Sequence, residues 1–86
     1  MPRLYTARPL HVEAVQFLGD VNGEECQEFL GDDFEGFDAV GGDIDFVSHS
    51  GDGLATAVPG DWIVRHPSGG FQAVRNDVFL ATYTEV

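Results

Sequence analysis

Asp43-Ile44-Asp45, with His49 four residues on, is the densest set of side chains in this sequence that could do chemistry. On an extended strand Asp43 and Asp45 share a face, and two carboxylates with an imidazole could hold a divalent cation. The spacing is common, and acids facing solvent on a half-exposed strand explain it more simply. Ser48-His49-Ser50 sets hydroxyls beside an imidazole. Neighbours on a strand point apart, however, and no third residue stands out to orient the ring for acyl transfer. Asp20-Val21-Asn22-Gly23-Glu24-Glu25 has some character of a calcium loop, but its glycine comes too early and the closing bidentate Glu is missing. Gly51-Asp52-Gly53 and Gly69-Gly70 lack the helix that a phosphate-cradling loop needs behind it, so they read as turns. Cys26 lies on an apolar stripe and reads as a small core residue rather than a nucleophile. These patterns specify no metal and no cofactor, and the expectation is a protein that is not an enzyme.

Charge narrows the partners. Fifteen acids face four basic residues, all arginine, for a formal charge of -11, and eleven of the acids fall between Asp20 and Asp52. No basic residue occurs between Arg8 and Arg65, so that stretch repels a phosphate backbone and direct nucleic-acid binding is not expected. Such a surface serves solubility in the plainest reading; the sharper one is an acidic face that docks on a basic partner. Apolar residues make up 43% and aromatics 12%, which excludes a disordered chain. No apolar run is long enough to cross a bilayer, and Met1-Pro2-Arg3-Leu4-Tyr5 lacks the regions of a secretion signal, so no membrane association is expected and the expected location is cytoplasmic. One cysteine makes no intramolecular disulfide.

The elements that must position these groups follow from periodicity and turn chemistry. Leu10 to Phe17, between Pro9 and Gly19, favours a strand. Val21 to Gly31 reads as a short helix with Asn22 as N-cap, Glu25 returning the bond, and Cys26, Phe29 and Leu30 as a narrow apolar stripe. Asp32 to Gly36 reads as an acidic connection, and Phe37 to Val40, Gly41-Gly42 and Asp43 to Ser48 as a hairpin. Ser50 to Gly53 is a turn before a strand from Leu54 to Val58. Pro59-Gly60 predicts a type II turn over Val58 to Asp61, because Pro fixes the first central angle and Gly accepts the positive second one. After it Trp62, Val64 and His66 face one side of a strand and Ile63 and Arg65 the other. Pro67 to Gly70 reverses the chain, Phe71 to Arg75 pairs back, Asn76 caps one helical turn through Leu80, and Thr82 to Val86 is extended. The sum is a single α+β domain over residues 1 to 86, mainly antiparallel β: a small curved sheet or SH3-like barrel with one short helix. Trp62 is expected to plug it, among Phe17, Phe29, Phe46, Phe71, Phe79 and Tyr83.

Tyr5, Arg8-Pro9 and Val12-Glu13-Ala14-Val15-Gln16-Phe17 at the front, with Pro59-Gly60-Asp61-Trp62-Ile63-Val64, Gly70-Phe71, Val78-Phe79 and Thr82-Tyr83 at the back, resemble a widespread group of small bacteriophage and prophage proteins. Those open with a PV-x-VEA-x-Q strand and close with GDWII-x-G-x-x-GE-x-YPCKPDIF-x-x-TYE. Roughly the first fifteen and last thirty residues carry the likeness. Over Gly69 to Phe79 the chain lacks the Pro-Cys-Lys-Pro element and keeps the length and the final Asp-apolar-Phe. The resemblance implies a phage or prophage origin and action in the host cytoplasm, and it supplies no mechanism.

The functional expectation is a phage-encoded, non-enzymatic binding protein that engages a host or phage protein with a basic surface, steered by Glu24, Glu28, Asp32, Asp33 and Glu35. Arg65 and Arg75, on strands expected to pair, would form one basic patch, where a small molecule or nucleotide could sit. A virion-associated or accessory structural protein, assembling as a homo-oligomer through strand edges, is the other reading.

Overall fold

The computed structural model describes residues 2–7, 10–38, 42–51, 53–67 and 69–85. Among them are eight strands and two α-helices: β1 (Arg3–Ala7), β2 (Leu10–Gln16), α1 (Gly23–Leu30), β3 (Phe34–Phe37), β4 (Ile44–Val47), β5 (Leu54–Ala57), β6 (Trp62–Arg65), β7 (Phe71–Val74), α2 (Asn76–Thr82) and β8 (Thr84–Glu85). They form a five-stranded sheet of order β7-β6-β2-β1-β8 and a three-stranded sheet of order β3-β4-β5, with every strand pair antiparallel. The α+β, mainly antiparallel architecture read from the sequence is the one observed. The sheets meet at a seam where Ser48 bridges Phe71 in parallel and the His49 amide donates to the Phe71 carbonyl at 2.8 Å.

Two-residue alternation on β2 and β6 explains the layering. Val15, Phe17 and Ile63 point into the main core with Cys26, Phe29 and Leu30 of α1, Ile44 and Phe46 of β4, Ala57 and Phe71. Val12, Ala14 and Val64 point to the opposite face, into a second cluster closed by Phe79 of α2 with Trp62, Val74 and Tyr83 packed around it. A central strand buried on both faces loses the apolar-polar alternation of a half-exposed one, which is why the pattern on β2 is imperfect in the sequence.

Trp62 therefore does not plug the space between the sheets. Of its expected neighbours only Phe79 and Tyr83 share its cluster; Phe17, Phe29, Phe46 and Phe71 belong to the main core. Ile63 takes the inward position on β6, and the adjacent residue must face outward. There the indole stacks on Phe79 with centroids 4.0 Å apart and planes within 7°.

Four local expectations shift. Asn22 precedes α1 but its side chain makes no cap: Oδ1 accepts from the Leu18 amide at 2.8 Å and Nδ2 donates to the Gln16 carbonyl at 2.7 Å, so it clasps the preceding loop. The acidic connection ends early, because Phe34 to Phe37 is already strand β3, with Phe37 paired to Ile44. Ala39 to Gly41, on which the end of the expected Phe37 to Val40 strand and part of its Gly41-Gly42 turn fall, and Asp52, Ser68, Arg8-Pro9 and Val86 lie outside the described residues. The single helical turn after Asn76 is two turns long, through Thr82, and only Thr84–Glu85 remains as strand, paired with β1. Asn76 itself accepts from Trp62 Nε1 at 2.9 Å and makes no N-cap bond. The Pro59-Gly60 turn forms as read, with the Asp61 amide donating to the Val58 carbonyl at 2.9 Å and Gly60 at φ 103°.

Candidate functional site

Helix α1 presents one face to the core and the other to solvent, and its stripe of Cys26, Phe29 and Leu30 dictates which. Burial of that stripe turns Glu24 and Glu28 outward, and both are exposed. The chain leaves the helix through Gly31 and a short 3-10 turn, Gly31–Asp33, where Asp32 is exposed and Asp33 half-buried, then enters β3 with Glu35 exposed. All five nominated acids thus lie on one continuous segment of the chain, Glu24 to Glu35, four of them exposed and Asp33 half-buried. No described basic side chain forms an ion pair with any of them. Glu24 and Glu28 line a shallow depression with Gln27 and Gly31.

The two nominated arginines do not form a basic patch. Arg65 lies opposite Phe71 at one end of the β6-β7 ladder, whereas Arg75 follows Val74, which lies opposite Trp62 at the other end. Continuing the β2-β6 register places Glu13 across from Arg65, and Glu13 Oε1 accepts from Arg65 Nε at 3.1 Å. Arg75 Nε is 3.6 Å from Asp77 Oδ1. The Arg65 guanidinium also sits 5.2 Å from the centroids of both Phe29 and Phe71, so it roofs the rim of the main core. It shares a shallow cleft with Glu28, Phe29, Glu25 and Pro2, which makes Arg65 and Glu28 the one nominated pair of opposite sign brought together.

Arg65 therefore has a structural role that the sequence did not reveal. Arg65→Ala should cost about 1 kcal/mol in chemical denaturation, mostly through lost stacking, because a half-exposed ion pair contributes little. Arg65→Lys should restore only part of it, since a compact ammonium cannot lie flat over two rings. An unchanged midpoint for Arg65→Ala would contradict this role.

The groups that could have done chemistry are held in other ways. Asp45 accepts from Thr56 Oγ1 at 2.7 Å across the β4-β5 ladder. Among the described residues no three His, Cys, Asp or Glu side chains gather around a common point. His49, beyond the end of β4, stacks face to face on His66 with centroids 4.1 Å apart and planes within 1°. Ser48 Oγ and Ser50 Oγ pair with each other at 3.1 Å. Cys26 is fully buried, and burial first, then the neighbouring Glu25 charge, pushes its thiol up to about 11. A thiol protonated at neutral pH and closed off from solvent is a core residue and not a nucleophile.

What the sequence reading missed is how exposed several large apolar side chains are. Leu18, Val21, Phe37 and Val58 are all exposed large hydrophobics. Their signal in the sequence was weak because they fall singly in turns and at strand ends. None of the described helices is long and apolar enough to cross a membrane. Comparison with known protein families, curated proteins and solved structures yields no match to the chain.

Proposed function

We propose that this is a non-enzymatic binding protein that engages a protein partner carrying a basic surface, through the acidic side formed by α1, the 3-10 turn and β3. The observation that carries the reading is the set Glu24, Glu28, Asp32 and Glu35, turned to solvent, with half-buried Asp33 among them and no described cation in an ion pair with any of the five. Carboxylates without an ion-pair partner among the described residues, on a molecule of formal charge -11, create a field that speeds encounter with a cationic surface and repels nucleic acid. The likeness of the chain's two ends to small phage and prophage proteins makes a host or phage protein in the infected cell's cytoplasm the partner.

Immobilised protein exposed to lysate should retain a basic protein whose binding weakens steeply between about 0.05 and 0.5 M salt, as screening over one Debye length requires. Neutralising the face with Glu24→Gln, Glu28→Gln and Asp32→Asn should weaken binding at low salt and flatten that dependence. Binding indifferent to both salt and these substitutions would remove the reading.

A further inference from the structure

We infer that Asn22-Gly23 is a self-modification site held shut by the fold: the Asn22 side-chain amide is lost by deamidation when the start of α1 opens, and is kept while it stays closed. The only co-reactant is water.

The chemistry follows from the two residue types. Asn22 carries an amide carbon within reach of the next backbone nitrogen, and Gly23 has no β-carbon to obstruct the approach. Once hydroxide has taken the Gly23 amide proton, the nitrogen bonds to Asn22 Cγ. The Cγ–Nδ2 bond breaks, ammonia leaves with a proton taken from water, and a five-membered imide is closed. Water then adds to one of the two imide carbonyl carbons, that carbon's bond to the ring nitrogen breaks, and the nitrogen regains its proton. Opening at Cγ gives aspartate. Opening at the Asn22 backbone carbonyl carbon gives isoaspartate, in which the chain runs through the side chain. The sum converts one amide and one water to one carboxylate and one ammonium, with nothing oxidised or reduced. Of the chain's asparagines, Asn22 precedes glycine, whereas Asn76 precedes Asp77, whose side chain hinders the same attack.

Three features of the fold block ring closure. The Gly23 nitrogen must come to the Cβ side of the Asn22 Cα–C bond, and at the observed ψ of 29° it lies on the far side, nearly trans to Cβ. Rotating it there would pull the Asn22 carbonyl from the Cys26 amide, which donates to it at 3.1 Å as the first bond of α1. The side chain is fixed as well, since Oδ1 accepts from the Leu18 amide and Nδ2 donates to the Gln16 carbonyl. Gly23, finally, is buried against the Phe37 ring, 3.3 Å from where a β-carbon would sit, which limits the access of hydroxide. Attack therefore requires these bonds to give way together, and the rate of a reaction confined to such an open state follows its population.

Conversion also alters what can close again. An ionised carboxylate accepts hydrogen bonds and donates none. The Gln16 carbonyl then faces an oxygen where Nδ2 stood, so the clasp between the end of β2 and the start of α1 is lost, and isoaspartate adds a methylene to the backbone just ahead of the helix. The change is irreversible, so a chain that has stayed open remains chemically distinct after it refolds.

The test ages the full chain at one mildly alkaline pH and one temperature, folded in buffer and unfolded in guanidinium chloride, and follows the Asn22 and Asn76 amides by peptide mass spectrometry. Asn22 should exchange NH2 for OH in the unfolded chain and do so at least about tenfold more slowly in the folded one, as a reaction confined to the open state requires. Asn76 should survive in both. Equal rates at Asn22 would mean that the fold does not hold the site shut, and an Asn22 amide that persists in the unfolded chain would mean that the pair is unreactive. Either result overturns the inference. Asn22→Asp, which carries one of the two products from the outset, should unfold at a lower denaturant concentration than the native chain. An unchanged midpoint would overturn the loss of the clasp on conversion.

Discussion

Gly70→Ala should destabilise the protein by about 2–4 kcal/mol, far more than the same change at Gly51, which should cost about 1 kcal/mol. The two glycines have the same backbone angle, φ 76°, so the conformational penalty of a β-carbon is common to both. They differ in surroundings. A β-carbon on Gly51 meets nothing within 4 Å, whereas on Gly70 it would lie 2.7 Å from His49 Cα and 3.2 Å from His49 Cβ. The atom in the way is backbone at the seam, where the His49 amide donates to the Phe71 carbonyl, so relief requires the two sheets to part. Urea denaturation of both variants measures the difference directly. Equal losses would mean that the seam yields freely and that the sheets are not held at His49. The same displacement should separate the stacked His49 and His66 rings, which lie on either side of the join.

The second large effect is Phe79→Ala, for which removal of a buried aromatic side chain should cost about 3–5 kcal/mol. Phe79 is 1% exposed and lies between Trp62, at 4.0 Å, and Tyr83, at 4.8 Å. It is the one buried residue of α2 and so the main apolar fastening of that helix to the outer face of the five-stranded sheet, beside the hydrogen bonds that Asn76 accepts from Trp62 and Gln16. Because the chain has a single tryptophan, the change also has a spectroscopic signature. The indole loses its stacking partner, and its emission should shift to the red while the protein is still folded. Leu80→Ala, on the exposed side of the same helix, should alter stability by no more than about 0.5 kcal/mol. A Phe79→Ala variant with native stability and unshifted emission would show that the second cluster contributes nothing.

These two sites also show where sequence reasoning stopped. Pro59-Gly60 and the turn at Gly69-Gly70 were legible because proline and glycine act through their own backbone angles, whatever surrounds them. Strands β2, β4, β5, β6 and β7 were legible to within a residue or two for the same local reason. The extent of α2 was not. Thr82-Tyr83-Thr84 has the β-branched and aromatic composition of a strand, yet Thr82 ends the helix because Phe79 and Tyr83, four residues apart, gain burial against Trp62 only in helical spacing.

The nominated site divides in the same way. Outward placement of Glu24 and Glu28 was determined by the apolar positions of the helix they share, since a stripe of three buried residues leaves one polar face. Arg65 and Arg75 could not be placed by strand pairing alone. Register set them at opposite ends of a ladder, and Arg65 gained two aromatic rings and Glu13 from elements distant in sequence.

By itself the sequence determined the Pro59-Gly60 and Gly69-Gly70 turns, the α+β content, the direction in which α1 faces and the negative charge of its middle third, because each of these depends on residues within a few positions of one another. Only the tertiary structure decided that the central sheet is buried on both faces, that Trp62 lies under α2, and that Arg65 roofs the rings of Phe29 and Phe71. Those outcomes depend on which strands become neighbours. That choice is made by the free energy of burying side chains far apart in the chain, which local patterns do not encode.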